Sequence, residues 1–222
     1  MESISRFCQA AGCGRGAYYN SAVESKSKSM STRLNLRSGA LILGLLSLSY
    51  GSQQGARVGA PEDLTAMREQ AEHGNARAQC NLGAIYDRDQ NYAEAVRWYR
   101  KAAEQDYDIA QYLLGGMYEQ GSGVTQDYAE AVRWWRKAAE RGNAEALYNL
   151  GVMYATGRGV AQNYVRAYMW ATLASRAGGK SQKAAASLCD VLATKMTPAQ
   201  IAEAQRLASE RKLKPAAGPP TK

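Results

Sequence analysis

Of the side chains that build metal centres and proton relays, this sequence has very few: a single histidine, His73, in 222 residues. One imidazole excludes the His/His/Glu zinc sites and the paired-histidine relays, each of which needs at least two. Cysteine is also scarce, and Cys8, Cys13, Cys80 and Cys189 are too scattered for a disulfide framework or a paired CxxC zinc site. No Gly-x-Ser-x-Gly, His-Glu-x-x-His, P-loop or dinucleotide-binding motif is present, and Gly121-Ser122-Gly123 reads as a turn. These absences leave no catalytic residue, metal ligand or cofactor site to name, and a non-enzyme is expected. Phenylalanine occurs once, beside 14 tyrosines and 4 tryptophans. Aromatics drawn from so few types arise when a few positions have been copied, which directs attention to repeats.

What is present is the composition of a soluble globular chain, 45% hydrophobic and 22% charged, with a formal net charge of +8. The surplus is not spread evenly. Residues 1–51 hold 6 Lys and Arg against 2 Asp and Glu, residues 203–222 hold 5 against 2, and residues 52–202 hold 17 against 16. A nearly neutral middle removes the basic footprint that a nucleic-acid partner requires.

The first stretch reads as a leader. Residues 1–29 are rich in Ser, Gly and Ala without apolar periodicity, and are expected to be disordered, an upstream extension of the gene model. From Met30 a short basic segment with Arg33 and Arg37 precedes the uncharged apolar run 38–50. A basic segment, an apolar run of about 7–15 residues and then small residues make a secretory signal, and the run is too short for a comfortable membrane span. Residues 30–51 are therefore assigned as a signal peptide, with Ser49 and Gly51 suited to the −3 and −1 positions of cleavage. The mature chain is expected in the periplasm or outside the cell, with no stable membrane span, and in the cytoplasm if the leader is not processed. Residues 52–61 are a linker.

Beyond Pro61 the copies appear. Leu82-Gly83, Leu114-Gly115 and Leu150-Gly151 each precede a tyrosine, Tyr86, Tyr118 and Tyr154, and Trp98, Trp134 and Trp170 follow at intervals of 36. The first copy lacks a four-residue insertion that carries Gly-x-Gly-Val in the others. Each copy reads as two short helices. Ala110, Leu114 and Tyr118 form one helical stripe, and Ala131, Trp134, Trp135, Ala138 and Ala139 another. Gly142-Asn143 and Gly74-Asn75 supply a helix stop followed by an N-cap. Gly115 and Gly151 fall in mid-helix, where close approach of a partner helix is expected, with Trp134 or Tyr118 filling the space. The tryptophans and tyrosines of these stripes are core, since one helix pair cannot bury both its stripes and neighbours must stack. Glu94 and Glu130, three residues before Arg97 and Arg133, make ordinary surface ion pairs. His73 stands at a helix end within reach of the last carbonyls, and a disulfide between Cys80 and Cys189 would require the ends of the array to touch.

The pattern A-x-x-x-L-G-x-x-Y-x-x-G-x-G-V-x-x-D/N-Y-x-x-A-x-x-W-x-x-x-A-A resembles the Sel1-like repeat, a relative of the tetratricopeptide repeat with a longer loop. It covers residues 62–179, as copies at about 75–104, 107–142 and 143–178 after an incomplete unit, and residues 180–213 look like the capping helices of such arrays, with Thr197 as N-cap and Pro198 at the first helical position. Residues 214–222 are a disordered tail. The resemblance implies an all-α fold, a right-handed α-solenoid of stacked antiparallel helix pairs, and a non-catalytic interaction module. In such arrays the first helices line the concave face. That places Asn81 and Asp87, Tyr112, Leu113 and Glu119, and Tyr148, Asn149 and Val152 in a candidate groove, with Cys80, Ala84, Gly116 and Ala155 beside them. Two tyrosines, two asparagines and acidic groups suit a protein or peptide partner; alternatively Tyr112 and Tyr148 simply pack between helices. A cell-wall or β-lactam-acting enzyme is a further reading by analogy with cysteine-rich Sel1-repeat proteins, but the cysteine pair that those carry in each repeat is missing. A cytosolic adaptor is the third reading.

Overall fold

The computed structural model describes residues 61–213, so the leader, most of the linker and the tail lie outside the described residues. Those residues contain no strand. They form α1 (Pro61–Glu72), α2 (Ala76–Arg88), α3 (Tyr92–Glu104), α4 (Asp108–Gln120), α5 (Tyr128–Glu140), α6 (Ala144–Thr156), α7 (Tyr164–Ala177), α8 (Gln182–Ala193) and α9 (Pro198–Glu210). Helices of this length are marginal in isolation, so their stability comes from stacking. The pairs α2–α3, α4–α5 and α6–α7 each pack internally, α3 and α5 pack on the first helix of the next pair, and α8 and α9 close on α6 and α7. This is an all-α solenoid.

Local sequence marks where each helix starts and stops. The side chains of Asn75, Asn143 and Asn163 accept the N–H groups of Ala78, Ala146 and Arg166, and Asp127 accepts those of Ala129 and Glu130. Thr197 and Gln200 form a reciprocal capping box ahead of α9, with Pro198 at its first position. At the other ends Gly121 and Gly157 adopt φ of +71° and +74°, and Gly142 turns the chain at +81°. Asp106 stands where Gly142 does and holds φ at +63°. Its carboxylate takes a hydrogen bond from Arg141 at 2.7 Å and one from Gln111 at 3.2 Å, ties that fix the turn in a conformation Asp tolerates. The imidazole Nδ1 of His73 donates to the carbonyl of Glu69 at 2.7 Å, in the last turn of α1.

The tryptophans of the second helices are core: Trp98, Trp134, Trp135 and Trp170 are 5% or less exposed. The partner of the mid-helix glycine is not the one expected. A Cβ on Gly115 would lie 2.5 Å from Trp135, not from Trp134 or Tyr118, and the equivalent contact in the first copy is Gly83 against Tyr99 at 2.7 Å. Residue 135 lies on the flank of α5 that faces α4, and its indole N–H donates to the carbonyl of Tyr112 at 3.0 Å. In the third copy this position is Ala171, and the helices close until Gly151 would meet the backbone of Ala167 and Ala171 and the side chain of Leu188 at 3.3–3.4 Å. The indole N–H groups of Trp98 and Trp134 find no acceptor among the described residues.

Neighbouring copies are tied in two ways. Arg68, Arg100 and Arg136 donate to the hydroxyls of Tyr86, Tyr118 and Tyr154 at 2.8–3.1 Å, each pair 18 residues apart. The tyrosine of the repeated motif is therefore held by the helix of the preceding unit. The Gly-x-Gly-Val loop supplies the second tie. Gly123, at φ +71°, lies against the backbone of Tyr92 and Ala93 at the start of α3, and Gly159, at φ +68°, against Tyr128 and Ala129 at the start of α5. Both the positive φ and the close approach exclude a side chain there. Val124 packs against the cluster that holds Val96, and Val160 against the cluster that holds Val132.

Candidate partner-binding face

Every residue of the candidate groove lies on α2, α4 or α6, the first helix of its copy. The three copies place Cys80, Tyr112 and Tyr148 at one position, Asn81, Leu113 and Asn149 at the next, then Ala84, Gly116 and Val152, then Asp87, Glu119 and Ala155. These residues do not contribute equally. Asn81 is exposed, and Asp87, Tyr112, Leu113, Glu119, Asn149 and Val152 are half-buried. Tyr148 is 3% exposed and belongs to the main core cluster, against which Tyr112 and Val152 also pack, whereas Leu113 packs against the cluster shared by the first and second copies. Tyr148 therefore offers a partner almost no surface, and Cys80 and Ala155 are buried as well.

Charge on this face is acidic at positions 87 and 119. Burial pushes the Glu119 carboxyl above its ordinary range, with the Arg158 guanidinium acting in the opposite sense. Burial, reinforced by Asp108, pushes the Cys80 thiol up to about 12, and burial also raises Cys189. A nucleophilic cysteine needs the reverse shift, so neither thiol is activated. Both are free. Among the described residues no cluster of three His, Cys, Asp or Glu could hold a metal ion, and no helix is long and apolar enough to cross a membrane.

Sequence comparison matches residues 108–143 and 144–179 to the family model described as Sel1 repeat, and residues 76–109 to that of the tetratricopeptide repeat. The shorter first copy, without its Gly-x-Gly-Val loop, is the one that matches the shorter repeat. No curated protein matches the chain. A solved Sel1 repeat protein from Oxalobacter formigenes is 37% identical over 55% of this chain and 96% of its own, with a TM-score of 0.51. The chain belongs to the Sel1 repeat family. A second solved relative, a protective antigen present in uropathogenic Escherichia coli strains and displaying an SLR fold, is 36% identical with a TM-score of 0.66. The match covers 73% of this chain and 36% of that antigen, so this chain spans about a third of its relative's length.

Two features of this Sel1 array escaped the sequence. Gln79 and Gln111 are buried at equivalent places and donate to the carbonyls of Ala71 and Ala103 in the preceding helix at 2.9 and 3.0 Å. Their recurrence one residue before Cys80 and Tyr112 was the available signal. The other is the cover of the tryptophans. Arg97 and Lys101 lie over Trp98, and Arg133 and Lys137 over Trp134, at 4.3–5.5 Å from the ring centres. In the third copy these cations are replaced by Met169 and Leu173, and Arg211, beyond α9, lies 4.2 Å over Trp170.

Proposed function

We propose that this Sel1 repeat chain is a non-catalytic interaction scaffold that binds an extended segment of a partner protein along the concave face formed by α2, α4 and α6. The observation that carries this reading is a contrast between the copies. Positions that build the fold repeat: the Leu-Gly pair, the tyrosine tied to arginine, the tryptophan and the alanine at 102, 138 and 174. The partly exposed positions on the first helices differ from copy to copy, as Ala84, Gly116 and Val152 do. A structural role would hold those positions alike; specificity for a partner varies them. Photo-crosslinking tests the face directly. A benzophenone amino acid at position 113 or 149 is expected to trap the same partner band from a native extract, whereas positions 97 and 133 on the second helices do not. Equal trapping from both faces removes the assignment.

We further propose that the chain works in the periplasm or outside the cell once residues 30–51 are removed. The basic segment followed by an apolar run supports this, and so does the description of the Escherichia coli relative as a protective antigen. N-terminal sequencing of the mature protein is expected to begin near Ser52, and an intact Met1 or Met30 would refute export.

A further inference from the structure

The glycines inside the first helices are not equivalent. Gly83 and Gly115 each sit under an aromatic ring that leaves no room for a methyl group, and Gly151 sits under α7 and Leu188, where a methyl group would be crowded at 3.3–3.4 Å. Gly116 has nothing within 4 Å of where its Cβ would be, yet it lies in mid-helix and is half-buried on the face described above. A helix-interior glycine costs about 1 kcal/mol relative to alanine, and the fold gives no return for it at this position. Such a residue is accounted for when another chain's backbone must come close.

Its neighbours on the same side of α4 are Tyr112, four residues back, and Glu119, three residues on. The carboxyl group of Glu119 makes no ion pair or hydrogen bond with the described residues; its backbone carbonyl is the atom taken by Gln126, at 2.7 Å. Arg158, the cation whose field reaches Glu119, lies over the ring of Tyr128. Burial without a partner is an unfavourable state for a carboxylate. Across the copies, the positions of Cys80, Asn81, Ala84 and Asp87 hold two acids and no cation. Only the middle copy combines an acid with a glycine one turn away. The equivalent pairs are Ala84 with Asp87 and Val152 with Ala155.

Resting on the peptide-binding reading above, we infer that the bound segment crosses α4 with its main chain against Gly116 and presents a lysine or arginine to the carboxylate of Glu119. Tyr112 supplies apolar area on the other side of the crossing. A charge-assisted hydrogen bond at this half-buried position is worth more than a pair in open solvent, so the basic residue sets the register of the segment.

A displayed library of short random peptides, selected against the full-length protein, tests this. Enriched peptides are expected to share a Lys or Arg. Gly116→Ala is expected to weaken the selected peptides about tenfold while raising Tm, which separates loss of fit from loss of fold. Glu119→Gln is expected to weaken them similarly, yet to leave unchanged the affinity of versions in which norleucine replaces the basic residue. Peptides that bind the face but tolerate both substitutions, or that carry no basic residue, overturn the inference and leave the scaffold reading intact. Failure to enrich any peptide sensitive to residues on α2, α4 and α6 overturns the peptide-binding reading itself.

Discussion

Gly115 stands in contact with Trp135, and its lack of a side chain is what allows α5 to approach α4 so closely that the indole N–H can reach the Tyr112 carbonyl. Gly115→Ala is therefore expected to destabilise the protein by about 1–3 kcal/mol, the range for overpacking, measured as a lower urea midpoint. The need for a close approach at this glycine was legible in the sequence. Its occupant was not, because Trp134 and Trp135 both satisfy the apolar pattern of α5 and only the crossing geometry separates them. Cys80 carries a second prediction at this scale. Its thiol is pushed from 9.0 to about 12 in the folded protein, so folding favours the protonated form. That stabilisation is fully present below about pH 9 and is lost as pH rises from there toward 12, because the unfolded chain releases its proton first. Wild type is expected to lose stability relative to Cys80→Ala across this window, read from paired urea titrations. Parallel slopes for the two proteins would show that the thiol is not buried.

The helices themselves were the most legible level. Caps at Asn75, Asn143 and Thr197 and stops at Gly121, Gly142 and Gly157 depend on chemistry within a few residues, and the sequence displays it. Contacts between helices were less visible where they involve polar groups. The carboxamides of Gln79 and Gln111 look alike in sequence but end differently. Gln79 accepts from Gln105 at 2.7 Å, whereas the oxygen of Gln111 is buried without a donor among the described residues because Arg141, at the place of Gln105, turns to Asp106. The third copy has Leu147 at this position. Gln79→Leu is expected to cost about 1 kcal/mol through the hydrogen bonds it removes. Gln111→Leu is expected to cost less, since Arg141 still holds Asp106 when the Gln111 bond to it is lost, the Ala103 carbonyl keeps the N–H of Asp106 and an unsatisfied oxygen disappears. Denaturant midpoints of the two variants make the comparison, and equal losses would mean that the buried oxygen of Gln111 is satisfied.

For the molecule as a whole, stability in a stacked array is a sum over units and the interfaces between them, so the ends matter more than their size implies. At the C-terminal end Ala204 and Ala208 of α9 are buried, Leu213 packs against the main cluster, and Arg211 covers Trp170 while lying 3.8 Å from Glu140. Arg211→Ala is expected to lower stability by about 1 kcal/mol, the scale of a cation–π contact, and to raise the accessibility of Trp170 to a fluorescence quencher. An unchanged quenching profile would show that the ring is covered by other groups. Nothing in the sequence flagged Arg211, because it replaces cations that the first two copies carry beside their own tryptophans, and only folding brings it there.

The Gly-x-Gly-Val loops give the array a direction. Each lies on the start of the second helix of the unit before it, so a copy grafted into the array brings the piece that covers its predecessor and needs a successor to cover itself. The first copy has no such loop, and Leu64 of α1, at the place of Val96 and Val132, is 43% exposed where those valines are 4% and 3%. The array therefore accepts additional copies by insertion after Gly142, in phase with the loop, and a graft placed ahead of the first copy must restore the four missing residues or inherit an uncovered seam.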